Sequence, residues 1–133
     1  MKKNIFLVLL IIFISGCSRT MKCDLNIDNN KFSVDKNYKV KYSGKNIIGV
    51  NVFEKYVVND DFLNTFDNMF IYIKGQYEGF NIPYTVDIKD NTYVLKSNFS
   101  SDILTDEAIQ DLLGENNISS YKSKLEESGF KCK

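Results

Sequence analysis

Between residues 24 and 58 apolar and polar side chains mostly alternate, and a period of two predicts strands. Leu25 and Ile27 alternate with Asp24, Asn26 and Asp28. Asn29-Asn30 follows, a pair suited to the positive φ values of a tight hairpin. Phe32 and Val34 begin a return strand in which Tyr38, Val40 and Tyr42 form an apolar face and Lys39 and Lys41 a basic one. Ser43-Gly44-Lys45-Asn46 turns the chain into a third strand, Ile47 to Val58. Its phase is mixed: Ile48, Val50 and Val52 share one parity, Phe53 and Val57 the other, and a bulge near Phe53 would reconcile them.

The period then lengthens to three and four. Asn59-Asp60-Asp61 has the form of a helix start, with a capping side chain and carboxylates where the helix dipole favours negative charge. Phe62, Phe66, Met69, Phe70, Ile73 and Tyr77 form a core-facing stripe that carries the helix to Glu78, with Gly79 as its C-terminal cap. Ile82, Tyr84, Val86 and Ile88 resume strand alternation, and Asp90-Asn91 turns into a strand from Thr92 to Phe99. Pro83 cannot donate to a ladder, so it marks a strand start or an edge. Helical patterns return from Thr105 to Leu113, before Gly114, and from Ser120 to Ser128, before Gly129; Tyr121 and Leu125 of the second are placed to cover the sheet. The sum is an α+β fold: an antiparallel sheet of about five strands packed by one long central helix and short C-terminal helices.

Ahead of this domain the pattern is different. Lys2 and Lys3 precede an apolar run that ends in Ile14, Ser15, Gly16 and Cys17, the arrangement of a bacterial lipoprotein precursor. The run is far shorter than the roughly 20 apolar residues of a spanning helix. Residues 1–16 are therefore expected to be a signal peptide, with Ile14, Ser15 and Gly16 recognised by the peptidase and Cys17 carrying a covalent diacylglycerol lipid. That fixes the expected location as the extracytoplasmic face of the cell membrane. Residues 17–22 read as the lipidated cysteine and a short tether, at most about 20 Å long when extended. Residues 23–133 read as a single domain, since this length supports one core and not two.

Cys23 and Cys132 remain, in a compartment where disulfides persist. Cys23 shares a strand face with Leu25 and Ile27, and Cys132 lies two residues beyond Phe130, so both sulfurs point inward if these segments are extended. We expect them to pair.

Charge excludes more than it suggests. The chain has 17 basic and 17 acidic residues, and loss of Lys2 and Lys3 with the leader makes the remainder slightly acidic. No nucleic-acid face is indicated. With no histidine there is no Ser-His or Cys-His arrangement. The adjacent carboxylates Asp60-Asp61, Asp106-Glu107 and Glu126-Glu127 are explained by helix ends or solvated faces. Asp87 to Asn91 lacks calcium-loop spacing. No catalytic residue, metal site or cofactor beyond the lipid is expected. Among the eight tyrosines, Tyr38, Tyr42, Tyr84 and Tyr93 fall at alternating strand positions, where sheet packing is the ordinary role and a ligand surface the other. Lys39, Lys41 and Lys45 present either a face for anionic polymer or headgroups, or a solvated face that discourages edge pairing.

The lipidation motif, the Tyr42-Ser43-Gly44-Lys45-Asn46 hairpin, the central helix followed by Gly79 and an alternating hairpin, and the last helix ending Ser128-Gly129-Phe130-Lys131 together resemble the YehR-like family of small bacterial lipoproteins. The similarity spans most of the mature chain, and Cys23 and Cys132 depart from the family's general pattern. The resemblance implies surface attachment and an α+β domain; it implies no enzymatic activity and no defined binding residues. The resulting expectation is a membrane-anchored, non-catalytic binding domain for an unidentified surface ligand, or an accessory protein that recruits an envelope protein through its sheet, with a small hydrolase as the third reading. A pocket of a few hundred Å³ would favour the first, an exposed apolar patch the second.

Overall fold

Three long strands form a meander: β1 (Ser18–Asp28), β2 (Phe32–Ser43) and β3 (Asn46–Val58). The computed structural model describes residues 18–133, so Ile14, Ser15, Gly16 and Cys17 lie outside the described residues. A 3-10 turn (Asp60–Phe62) leads into helix α1 (Leu63–Gly79), then β4 (Thr85–Lys89) and β5 (Thr92–Ser100) form a second hairpin. The chain continues through a 3-10 turn (Ser101–Ile103), the short α2 (Asp106–Ala108) running on into a π turn (Ile109–Leu113), α3 (Ile118–Glu127) and β6 (Lys131–Cys132). The described strands form one antiparallel sheet of order β4-β5-β3-β2-β1-β6. This is the expected α+β class, with β6 as a sixth strand. No helix among the described residues is long and apolar enough to cross a membrane.

One face of the sheet carries the core. Met21 and Cys23, Val34 and Val40, Val50, Val52, Tyr56 and Val58, and Tyr93, Leu95 and Phe99 are all buried there against the helices. Phe66 and Phe70 of α1 meet Tyr93 at ring-centroid distances of 4.8 and 5.1 Å, and Phe66 meets Tyr56 at 5.2 Å. Interlocking rings of this kind fix the helix on the sheet.

Cys23 and Cys132 lie opposite each other in the β1–β6 register and are joined by a disulfide. The bond closes a span of 109 residues, so it ties the last strand to the first. Residues 18–22, expected as a tether, are instead strand: Ser18 pairs with Ser43 and Lys22 with Lys39, and burial of Met21 holds the segment on the core.

Several local expectations are corrected. The β-bulge sits opposite the Lys41/Tyr42 step, where Lys41 pairs with Gly49 and Tyr42 with Ile47, rather than near Phe53. Ile48 is the extra residue and is exposed, while Ile47 turns inward. Beyond the bulge the even positions face the core from Val50 to Val58, leaving Phe53 and Val57 on the outer face. Asn29-Asn30 does not use positive φ; the Asn29 side-chain oxygen accepts from the backbone N–H groups of Lys31 and Phe32 at 2.8 and 3.0 Å. Such a turn needs no left-handed residue.

Asn59 does not cap α1, because its amide donates to the Asn30 carbonyl and its backbone N–H to Lys31. Gly79 is the last helical residue, and the left-handed position that ends this segment is Asn81, at φ 56°. Met69 turns away from the stripe and is exposed. Asn117 caps α3 by accepting from Ser119 and Ser120, and Gly129 ends that helix at φ 99°. Finally, Lys39 and Lys41 belong to an interior strand, so they guard no edge.

Candidate functional site

On the core face of the sheet, Lys36 of β2 and Glu54 of β3 are direct cross-strand partners. Val52, Glu54 and Tyr56 alternate on the inward side of β3, so the pleat itself carries the carboxylate beneath the helical layer. Glu54 is only 3% exposed. A carboxylate in that position is costly unless its lone pairs are used. Tyr38 donates to one of its oxygens at 2.5 Å and Tyr56 to the other at 2.7 Å. The Lys36 ammonium stands 3.8 Å from the oxygen that accepts from Tyr38, and 5.8 Å from the centre of the Tyr56 ring.

These groups form the polar part of the floor of a cavity of about 750 Å³ between the sheet, α1 and α3. The rest of the floor and walls is apolar or aromatic: Val50, Val52, Ile73, Tyr77, Ile82, Phe99, Tyr121, Leu125 and Phe130. Tyr38 packs on Phe130 at 4.8 Å, which holds its hydroxyl toward Glu54. Exposed residues on the lining, Gln76 of α1, Asp111, and Lys124 and Ser128 by α3, form a rim. Lys124 is already engaged, donating to the carbonyls of Asp111 and Leu112 at 2.6 and 3.2 Å, where the π turn leaves its final acceptors. The C-terminal part is tied to the hairpin below it: Asn116 accepts from the N–H of Ile47, and Ile118 donates to the carbonyl of Lys45. The Ile48 bulge that turns Ile47 inward therefore also helps seat the segment leading into α3.

The tyrosines around Glu54 are held in their neutral, donor form. Burial, and then the neighbouring carboxylate, push the Tyr38 and Tyr56 hydroxyls far above the ordinary phenol range. The same two causes raise Tyr77 and Tyr121, so four phenols lie within the field of one carboxylate. Every buried side-chain polar atom among the described residues has a partner.

A second depression, of about 580 Å³, lies on the opposite side of the sheet around Phe53, Lys55, Val94 and Lys96. None of its lining residues is buried, and no carboxylate or amide is enclosed there. The first cavity is the better candidate on both counts.

The structure distributes the sequence-selected residues widely. Tyr38 lines the cavity, Tyr93 lies in the aromatic core, and Tyr42 and Tyr84 lie outside the lining. Asp60 accepts from Asn91 at the base of α1, while Asp61, Asp106, Glu107 and Glu126-Glu127 are exposed. Asp87 and Asn91 do not converge on a cation site, and the described residues contain no group of three or more potential metal ligands. Glu54 and Lys36 were not singled out from the sequence. The available signal was one acidic residue in the unbroken alternation Val50, Val52, Glu54, Tyr56, Val58, which a bulge near Phe53 would interrupt.

The chain matches no family profile and no curated protein sequence. Among solved structures it is similar to the NMR structure of a protein from Streptococcus pneumoniae TIGR4, at 13% identity and a TM-score of 0.49, over 87% of this chain and 85% of that one.

Proposed function

We propose that this chain is a bacterial surface lipoprotein of the YehR-like kind, held on the extracytoplasmic side of the membrane by a lipid on Cys17, and that its domain binds a small ligand without transforming it. The cavity over Glu54 carries this reading. Its volume lies in the few-hundred-Å³ range of small-molecule sites, and its few convergent polar groups in an apolar wall match their usual composition. The leader motif supports the anchor. With Ser18 already in β1, a lipid on Cys17 would hold the sheet directly at the headgroups, with no slack between anchor and domain.

Two measurements test the two halves. Incorporation of labelled fatty acid into the full-length precursor, and its loss in Cys17→Ala, tests the anchor; equal labelling of both would overturn it. Binding of the neutral fluorophore N-phenyl-1-naphthylamine tests the cavity. Val52→Phe, which fills the floor, is expected to lower that binding at least several-fold while the domain stays folded. Unchanged binding would place the probe elsewhere.

One observation favours recruitment of an envelope protein as the second reading. Met69, Ile71 and Tyr72 of α1 face solvent, Tyr72 at 79% exposure. That apolar group lies on the helix and not on the sheet, whose outer face carries Lys22, Lys39, Lys41 and Lys96.

A further inference from the structure

We infer that the cavity recognises a ligand with an apolar or aromatic body and a protonated amine, and that the amine takes the place now held by the Lys36 ammonium beside Glu54. This rests on the reading of the cavity as a ligand site and names the chemistry of what enters it.

Glu54 keeps unused acceptor capacity. Its two tyrosine partners use one lone pair on each oxygen, and the nearest cation stands at 3.8 Å, beyond hydrogen-bonding distance. A buried carboxylate retains further acceptor capacity on each oxygen. The surrounding rings favour a cation as well. Lys36 already stands over the Tyr56 face, and Tyr38, Tyr77 and Tyr121 add to the electron-rich wall. The site thus has the two features that select an ammonium over a neutral polar head, a desolvated anion and aromatic faces.

Lys36 is suited to give way. Its side chain is 25% exposed, whereas that of Glu54 is 4% exposed, so the ammonium reaches water more readily than the carboxylate does. Lysine is a strongly hydrated point charge on a flexible stem, and loss of a long contact costs it little. A ligand ammonium reaching hydrogen-bond distance would replace that contact with a stronger one. The enclosed charge stays balanced throughout, with one cation beside Glu54 before and after binding.

The test compares 4-phenylbutylamine, protonated at neutral pH, with 4-phenylbutanol, which has the same body and no charge, by calorimetric titration of the purified protein. The amine is expected to bind about tenfold more tightly or better. Glu54→Gln should abolish that preference. Lys36→Met, which removes the internal competitor, should tighten the amine several-fold and leave the alcohol unchanged. A purely structural Lys36–Glu54 pair would not produce that gain. Thermal unfolding of each variant reports folding, and the wild-type amine-to-alcohol comparison stands even if Glu54→Gln fails to fold.

Equal affinity for the two compounds, or weaker amine binding in Lys36→Met, overturns the ammonium assignment. So does failure of both compounds to bind while N-phenyl-1-naphthylamine still does; in each case the cavity survives as a neutral site. If none of the three binds, the cavity reading falls with the assignment.

Discussion

Lys36 and Glu54 face each other across the β2–β3 ladder on the covered side of the sheet, the carboxylate held from both flanks by the hydroxyls of Tyr38 and Tyr56. Each carboxylate oxygen has a hydroxyl partner without a ligand, which lets the carboxylate persist in an apolar interior. Removing its centre exposes the cost. Glu54→Ala leaves two buried hydroxyls without their acceptor and Lys36 without its counter-charge, and is expected to destabilise by about 2–4 kcal/mol in urea unfolding. A loss below roughly 0.5 kcal/mol would mean that the carboxylate is not buried in solution.

Alkaline pH probes the same cluster. Tyr38, Tyr56, Tyr77 and Tyr121 all have hydroxyl pKa values raised above the ordinary 10.0, chiefly by burial and then by Glu54. Tyr93, hydrogen-bonded to Asp67 and buried, is pushed up to about 12. Above pH 10 the unfolded chain releases these protons and the folded one keeps them, so the folded state binds more protons and stability falls with rising pH. The stabilising contribution is complete below the unfolded value and is lost progressively as pH rises from there through the raised folded values. Tyrosinate absorbance should therefore rise in two stages, the second coinciding with cooperative loss of circular dichroism. A single rise near pH 10 in a still-folded protein would contradict the placement of these tyrosines.

Reduction tests the closure of the domain. In the chain-entropy picture a loop of 109 residues stabilises by about 4–5 kcal/mol at most. Cys23→Ser with Cys132→Ser should lower the unfolding midpoint sharply, and the denatured, unreduced wild-type domain should show neither residue as a free thiol.

Gly129 is expected to resist substitution. Its φ of 99° is poorly tolerated by residues with a side chain, and an added Cβ would stand 3.3 Å from Leu25 Cδ1. Gly129→Ala should cost about 1 kcal/mol or more, measured by urea unfolding. Gly75→Ala, exposed within α1 with open space around its Cβ position, should stabilise by roughly 0.5–1 kcal/mol.

Much of the fold was legible because burial on one side of a sheet leaves a clear period of two and a core-facing helix a period near 3.6. The pairing of Cys23 with Cys132 was legible from the two remaining cysteines with strand parity in support, and β4–β5 from the alternation around Asp90-Asn91. The misplaced features depend on a partner distant in sequence. Asn59 has capping chemistry, yet it is drawn to Asn30 across the neighbouring turn. The bulge at Ile48 is set partly by Asn116, 69 residues away, which binds the N–H of Ile47. That shift decides the phase of β3, and with the bulge assigned to Phe53 instead, Glu54 loses its place on the inward face. The cavity was hidden for a further reason: its rim comes from α1, the π turn and α3, whose mutual distances no local pattern encodes.

The most direct test of the account follows the ring resonances of the tyrosines by NMR while 4-phenylbutylamine is titrated into the domain. Saturable shifts at Tyr38, Tyr56, Tyr77 and Tyr121, with Tyr42 and Tyr72 unmoved, are the predicted result. Saturable shifts confined to Tyr72, or none at any tyrosine, would contradict a ligand site over Glu54.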